Sequence, residues 1–151
     1  DLFGNTGISL NKHRTNNKDS IAAMMEFIQD SFKGLVLVNL IEYDMIYGHR
    51  NDPQGYAGAL RDFDAALPTL RAAMRSTDIV MIVADHGVDP TTPSTDHSRE
   101  YIPLLVFGAA VKPGVNLGVR KTFSDVGATI AEIFGLEMPE IGVSFLPDIT
   151  A

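Results

Sequence analysis

The chain has 151 residues, and its 19 acidic side chains outnumber its 12 basic ones to give a net charge of −7, which argues against nucleic acid or an anionic membrane as a partner. The apolar fraction of 45% predicts a folded domain with a hydrophobic core, and the absence of cysteine excludes disulfides, thiolate metal ligands and a cysteine nucleophile. Because no apolar run reaches the roughly 18 residues that span a bilayer and no signal peptide is recognisable, we expect a cytoplasmic protein without a membrane partner.

The first third of the chain predicts a loop, a helix and a buried strand. Residues 1–18 are polar and show no periodicity, which is typical of a loop. Asp19 or Ser20 can cap a helix that runs to about Phe32, because apolar residues recur along one helical face. The almost unbroken apolar run at residues 35–41 is typical of a strand buried on both faces, as in a parallel sheet covered by helices.

The rest of the chain continues this alternation of helices and strands. After a loop at residues 42–53, helical periodicity extends over residues 54–74, and Pro68 is expected to kink or interrupt that helix. Apolar runs then predict strands, and a final periodic segment predicts a helix. Their ranges are 78–84 and 104–107 for the strands and 122–134 for the helix. This order indicates an α/β fold, with a largely parallel sheet flanked by helices.

Polar clusters follow the predicted strands, at the edge of an open α/β sheet where ligand sites concentrate. Asp44 and His49 lie after the first strand, Asp85 and His86 directly after the second, and His97 eleven residues after His86 in a polar loop. Imidazole and carboxylate are ligands for divalent metals such as Mn²⁺ and Zn²⁺. These five residues are therefore the candidate metal ligands, and their number favours two metals about 3.5–4 Å apart, an arrangement that serves phosphoryl transfer.

Each of these residues also has a simpler interpretation. A histidine near an aspartate is commonly a surface ion pair, and His13, between Lys12 and Arg14, is most simply solvated. Arginines flank the predicted site and could hold phosphate through paired hydrogen bonds, although each alone is typical of a surface or structural side chain. They are Arg50, Arg99 and Arg120. No hydroxyl in the polar loop has a context that marks a nucleophile.

Several segments together resemble the phosphopentomutases of the alkaline phosphatase superfamily. Residues 38–50 (VNLIEYDMIYGHR) resemble the first metal-binding segment, and residues 84–87 (ADHG) with 95–100 (TDHSRE) resemble the second and third. Residues 52–56, 122–127 and 138–146 are also similar to that family. The Asp-His-Gly element alone marks only the superfamily, whereas the Tyr-Gly-His-Arg and Thr-Asp-His-Ser-Arg-Glu elements narrow the resemblance to phosphopentomutases.

The resemblance implies an isomerase that interconverts ribose 1-phosphate and ribose 5-phosphate, and the deoxyribose analogues, with two Mn²⁺ ions and a phosphorylated threonine. It therefore implies a pentose phosphate substrate and a role in nucleoside catabolism. By position in the family motifs, Asp44, His49 and His97 would hold one metal. Asp85 and His86 would hold part of the other.

The resemblance also implies that some of the family's machinery lies elsewhere. The chain begins at Asp1 and not at methionine, and it resembles only the C-terminal part of the family's core. We therefore expect residues 1–151 to be the C-terminal portion of the metal-binding core domain, without the N-terminal core segment and the cap domain. The phospho-acceptor threonine and one metal-binding aspartate would be missing with them, so this chain alone is expected to be inactive. Uncovered core surface is expected to favour self-association.

Other functions remain open at this stage. One is a different enzyme of the same superfamily, such as a phosphoglycerate mutase, a phosphatase or a sulfatase. Another is a metal-binding or interaction module without catalysis, and a third is a structural fragment whose loops are ordered only by metal.

Overall fold

Helices and two short strands follow one another in the computed structural model, which describes residues 2–30 and 32–150. In chain order the elements are a 3-10 helix Leu2–Asn5, α1 Asn17–Gln29, a π-helix Tyr43–Gly48, α2 Pro53–Ala73, β1 Val80–Val83, β2 Leu104–Phe107, α3 Ser124–Ile133 and α4 Leu146–Ile149. They form two compact units. The first unit is Asp1–Ala73 with Val88–Glu100, and the second unit is Met74–Gly87 with Tyr101–Ala151. None of the described helices combines the length and the apolarity needed to cross a lipid bilayer.

The first unit is built on α1 and α2, which contact each other. The Asn16 side chain caps α1 by accepting a hydrogen bond from the Asp19 backbone N at 2.8 Å, so the helix begins earlier than predicted. The α2 helix continues through Pro68, and the predicted interruption there is wrong. Leu70, two residues further on, is only 1% exposed, and its burial stabilises the helix beyond the proline.

The strand predicted at residues 35–41 is absent, although the structure describes all of these residues. Leu35 and Leu37 are 59% and 57% exposed, whereas Val36 and Val38 are partly buried. A strand is defined by a ladder of hydrogen bonds to a neighbouring strand, and the described ladder joins only β1 and β2. An apolar run shows that a segment is suited to a sheet, but it does not show that a neighbouring strand is present to pair with it.

The second unit contains a two-stranded antiparallel sheet, in which Val80 is opposite Phe107 and Val83 is opposite Leu104. The strand predicted at 104–107 is confirmed, and the one predicted at 78–84 is shorter than expected. The largely parallel sheet is not confirmed. Parallel strands need a long crossover that usually holds a helix, and residues 84–103, all described, contain none. The structure therefore supports a mixed helix-and-sheet fold with a small sheet.

A polar network holds α3 and the C-terminal segment of the second unit together. The Arg120 Nε donates to Asp125 Oδ2 at 2.7 Å, and the other Asp125 oxygen accepts from the Val143 backbone N at 2.8 Å. The Thr129 hydroxyl accepts from the Phe145 backbone N at 3.0 Å. Thr129 and Phe145 are both fully buried, so these bonds satisfy polar groups that water cannot reach.

Candidate metal centre

The π-helix positions two of the predicted ligands. It occupies part of the segment predicted as a loop, and its backbone closes with a 2.9 Å hydrogen bond from the His49 N to the Asp44 carbonyl. In this i to i+5 pattern, residues five apart lie above one another on the helix. The two side chains can therefore meet, and the five-residue spacing seen in the sequence has a geometric cause.

Three predicted ligands of the first unit converge. The Nε2 atom of His49 lies 3.3 Å from Asp44 Oδ2, and the Nε2 atom of His97 lies 3.5 Å from Asp44 Oδ1. The two imidazole rings are 5.0 Å apart between centroids and inclined by 35°. One carboxylate thus has an imidazole nitrogen facing each of its oxygens, although His97 lies 53 positions after Asp44 in the sequence.

The other ring nitrogen of His49 fixes which tautomer is present. His49 Nδ1 lies 2.5 Å from the Thr95 carbonyl oxygen. A carbonyl oxygen only accepts hydrogen bonds, so Nδ1 must carry the proton in this contact. In the neutral ring that binds metal, the lone pair is then on Nε2, the atom that faces Asp44. A backbone carbonyl bonded to the second nitrogen is the usual support of a histidine that ligates a metal.

A glycine allows the loop that carries His97 to lie against the π-helix. A Cβ atom built on Gly48 would be 2.8 Å from the Val88 Cγ2 atom, closer than side-chain atoms normally approach. Gly48 is buried, so no solvent space is available to relieve such a contact. Its missing side chain therefore makes room for the start of the loop Val88–Glu100.

Two tyrosines hold the π-helix on α2. The Tyr43 hydroxyl donates to the Ala59 carbonyl at 3.1 Å, and its ring packs against the ring of Tyr56 with the centroids 5.6 Å apart. Burial, with smaller contributions from Tyr56 and two carboxylates, raises the pKa of Tyr43 to about 12. Burial and the negative charge of Asp44 also raise the pKa of Tyr56. Both tyrosines are therefore neutral near pH 7 and act as packing groups beside Asp44.

In the second unit, Asp85 and His86 come after β1, with only Ala84 between the strand and Asp85. The His86 Nε2 atom lies 3.6 Å from Asp85 Oδ1, and the His86 Nδ1 atom lies 3.2 Å from the Gly87 carbonyl oxygen. The Asp85 side chain is 91% exposed and that of His86 is 26% exposed. The exposed carboxylate is accessible to a metal ion, and the role of both residues stays a prediction.

Of the three flanking arginines, Arg120 has the structural role considered for it. Arg120 is structural, because it is bonded to Asp125 and also donates to the Val143 carbonyl at 2.9 Å. Arg50 and Arg99 are exposed, as is His13.

Sequence reasoning missed the groups that support the centre. The Thr95 carbonyl is a backbone group, so no residue type in the sequence indicates its role. Asn17 and Glu42 exchange two hydrogen bonds, at 2.6 Å and 3.2 Å, which tie the N-terminus of α1 to the residue before the π-helix. Asn51 adopts a left-handed backbone conformation, with a φ angle of 51°. In the sequence, only its position in a polar turn indicated that conformation.

The donor set of the first unit fits a divalent transition metal. It offers one carboxylate and two imidazoles whose Nε2 atoms each face one oxygen of that carboxylate, and imidazole with carboxylate suits Mn²⁺ or Zn²⁺. The distances of 3.3 and 3.5 Å between the imidazole Nε2 atoms and the Asp44 oxygens are longer than strong charge-assisted hydrogen bonds. The three side chains are therefore close together without being tightly bonded to one another. Metal ligation by the predicted residues remains a proposal that this geometry supports.

Comparisons with known proteins point to the same chemistry. The phosphopentomutase of Herpetosiphon aurantiacus is 60% identical to this chain over 149 residues, which is 99% of the chain. The phosphopentomutases of Carboxydothermus hydrogenoformans and Kosmotoga olearia are each 50% identical over the same length. The chain spans only 38% of the length of these relatives. A family model described as the Metalloenzyme superfamily matches residues 2–138, and the chain belongs to that superfamily.

Proposed function

We propose that this chain is the C-terminal part of the metal-binding core of a phosphopentomutase, which interconverts ribose 1-phosphate and ribose 5-phosphate and the deoxyribose analogues. The observation that carries the proposal is the 60% identity to a phosphopentomutase over nearly the whole chain. The convergence of Asp44, His49 and His97 also supports it, because these are the residues that the family resemblance implies as the ligands of one metal.

We assign Asp44, His49 and His97 to one Mn²⁺ site, and Asp85 and His86 to part of a second. When bound, the ions would neutralise charge on the phosphate and orient it for transfer. Asp44 supplies the negative charge of the first site, and its two oxygens lie between the two imidazoles. The Thr95 carbonyl holds His49 in the tautomer that can bind metal, so the imidazole ring does not need to turn before its Nε2 atom can act as a ligand.

The transfer itself needs a phospho-acceptor, which we do not assign to any residue of this chain. The resemblance implies a phosphorylated threonine in the family's N-terminal core segment, and the relatives are longer than the matched region, since the chain spans 38% of them. We therefore propose that the 151 residues bind metal but do not catalyse the isomerisation alone. The complete protein would act on pentose phosphates from nucleoside catabolism in the cytoplasm.

The product of the complete reading frame that encodes this chain tests the proposal. It should convert ribose 1-phosphate to ribose 5-phosphate in the presence of Mn²⁺, followed by ³¹P NMR, which resolves the two esters and inorganic phosphate. The 151-residue chain assayed alongside should show no conversion. Release of inorganic phosphate without the isomer would indicate a phosphatase instead, and no reaction with either pentose phosphate would contradict the proposal.

A further inference from the structure

Asn51 adopts an unusual backbone conformation close to the candidate metal centre. Its φ angle of 51° lies in the left-handed region, which costs about 1 kcal/mol or more for a residue with a side chain. Its backbone N donates to the Gly48 carbonyl at 3.1 Å, so it ends the turn that follows the π-helix. Asparagine tolerates this conformation better than most residues with a side chain, so the turn accommodates Asn51, and the contact of its side-chain amide is a separate observation.

The side chain of Asn51 reaches into the loop Val88–Glu100. Its Nδ2 atom donates to the Thr92 carbonyl at 3.0 Å, across 41 positions in the sequence. Thr92 is itself held in a turn, because both its backbone N and its hydroxyl donate to the Asp89 carbonyl, at 3.3 and 3.0 Å. Asn51 therefore bonds to an ordered part of the loop.

A second bond joins the same two segments, from His49 to the Thr95 carbonyl. The two acceptors, at Thr92 and Thr95, are three positions apart, and His97 is two positions further along. The contact to Thr95 is made by a candidate ligand, His49, whereas the Asn51 side chain donates to a backbone carbonyl. Together the two bonds fix the part of the loop that presents His97 to Asp44.

We propose that Asn51 is a positioning residue of the metal centre: its amide holds the loop so that the His97 imidazole meets the Asp44 carboxylate before any metal binds. The inference rests on the proposed metal site and adds to it a residue outside the ligand set. It predicts that removing the amide weakens metal binding without removing a ligand.

The substitution Asn51→Gly isolates this effect, because glycine accepts a φ of 51° and only the side-chain bond is lost. The affinity of the protein for Mn²⁺, measured by electron paramagnetic resonance of the free ion during a titration, should fall by up to about 10-fold, at the lower end of the 10–100-fold loss that follows removal of a group bonded directly to a metal ligand. Hydrogen exchange of residues 88–100 in the metal-free protein should accelerate in parallel.

A matched control is Asn116→Gly, which removes another turn asparagine. Asn116 accepts from the Gly118 backbone N at 2.9 Å in an exposed loop of the second unit. This variant should bind Mn²⁺ as the wild type does and show unchanged exchange at residues 88–100.

The outcomes separate the inference from the proposal beneath it. If the wild type binds Mn²⁺ and Asn51→Gly binds it equally well, the inference is overturned. Unfolding of that variant at a lower urea concentration would not rescue the inference, because lower stability with unchanged Mn²⁺ affinity would assign Asn51 a purely structural role. If the wild type binds no Mn²⁺, the metal site itself is contradicted and the positioning role fails with it. Weaker binding together with faster loop exchange supports the inference.

Discussion

At the scale of single residues, the candidate metal centre consists of three side chains and of the neighbouring groups that hold them in place. Asp44 and His49 were recognisable from their spacing after an apolar run, and His97 from its place beside an aspartate in a polar loop. The structure brings these three together, and it also adds a carbonyl at Thr95 and an amide at Asn51. Backbone acceptors carry no residue signature, so sequence reasoning alone could not have found the first of these.

His97→Ala tests the ligand assignment at this scale. Removing one of three donors should abolish Mn²⁺ binding at the first site and lower the number of ions bound per chain, measured by equilibrium dialysis with elemental analysis. His13→Ala is the matched control, since His13 is exposed in the N-terminal polar segment. An unchanged metal stoichiometry in His97→Ala would remove His97 from the ligand set.

Asp125 gives a pH-dependent prediction that is independent of metal. Burial raises the pKa of its carboxyl, but the bonds from Val143 and Arg120 and the charge of Arg120 outweigh it, so the pKa is lowered overall. The folded protein then binds fewer protons here than the unfolded chain, so the stability from this group is present above the unfolded pKa of about 3.9 and is lost as pH falls through the lower folded value.

Asp125→Asn should therefore lower the free energy of unfolding at pH 7 by about 2–3 kcal/mol, because an amide nitrogen facing Arg120 Nε cannot accept its hydrogen bond. Urea unfolding at pH 7 and pH 3.5 measures the effect, and the difference between variant and wild type should shrink at the lower pH. Asp148→Asn, at an exposed carboxylate of the same unit, should change stability by less than about 0.5 kcal/mol. Equal effects of the two substitutions at pH 7 would contradict the role of the network.

At the scale of elements, helices were predicted better than the sheet. Helical periodicity is local, and α2 begins and ends within one residue of its prediction. Sheet formation depends on a partner elsewhere in the chain, which explains why residues 35–41 form no strand and why the largely parallel sheet is not confirmed. The π-helix was missed because its i to i+5 bonds leave no regular apolar pattern over six residues.

The link between α1 and the π-helix is testable through Glu42. Its carboxylate accepts from the backbone N of Asn17, a residue only 8% exposed, so Glu42→Ala leaves a buried donor without that acceptor. We expect the free energy of unfolding in urea to fall by about 1–3 kcal/mol. Glu132→Ala, at an exposed position of α3, is the control and should change it by less than about 0.5 kcal/mol. Equal stability of the two variants would show that the Asn17–Glu42 bonds contribute nothing net.

At the scale of the whole molecule, many large apolar side chains are exposed. They include Leu35, Leu37, Val83, Leu105, Val119, Ile141 and Val143, at 42–74% of their full accessible area. Exposed apolar surface of this kind favours association, since each contact removes it from water. We therefore propose that the purified 151-residue chain self-associates.

Sedimentation velocity over a tenfold range of protein concentration measures this association. The sedimentation coefficient should rise with concentration, and added salt should not reverse the rise, because the attraction is apolar. A coefficient that stays constant at the value of a 16.4 kDa species would contradict the proposal.

The central claim is that Asp44, His49 and His97 form a manganese site, and anomalous diffraction at the manganese absorption edge tests it most directly. Crystals of the protein grown with Mn²⁺ should show an anomalous peak in contact with an Asp44 carboxylate oxygen and the Nε2 atoms of both histidines. Crystals of His97→Ala should show this peak weakened or absent. A strong manganese peak elsewhere in the wild type, with none between these three side chains, would contradict the account.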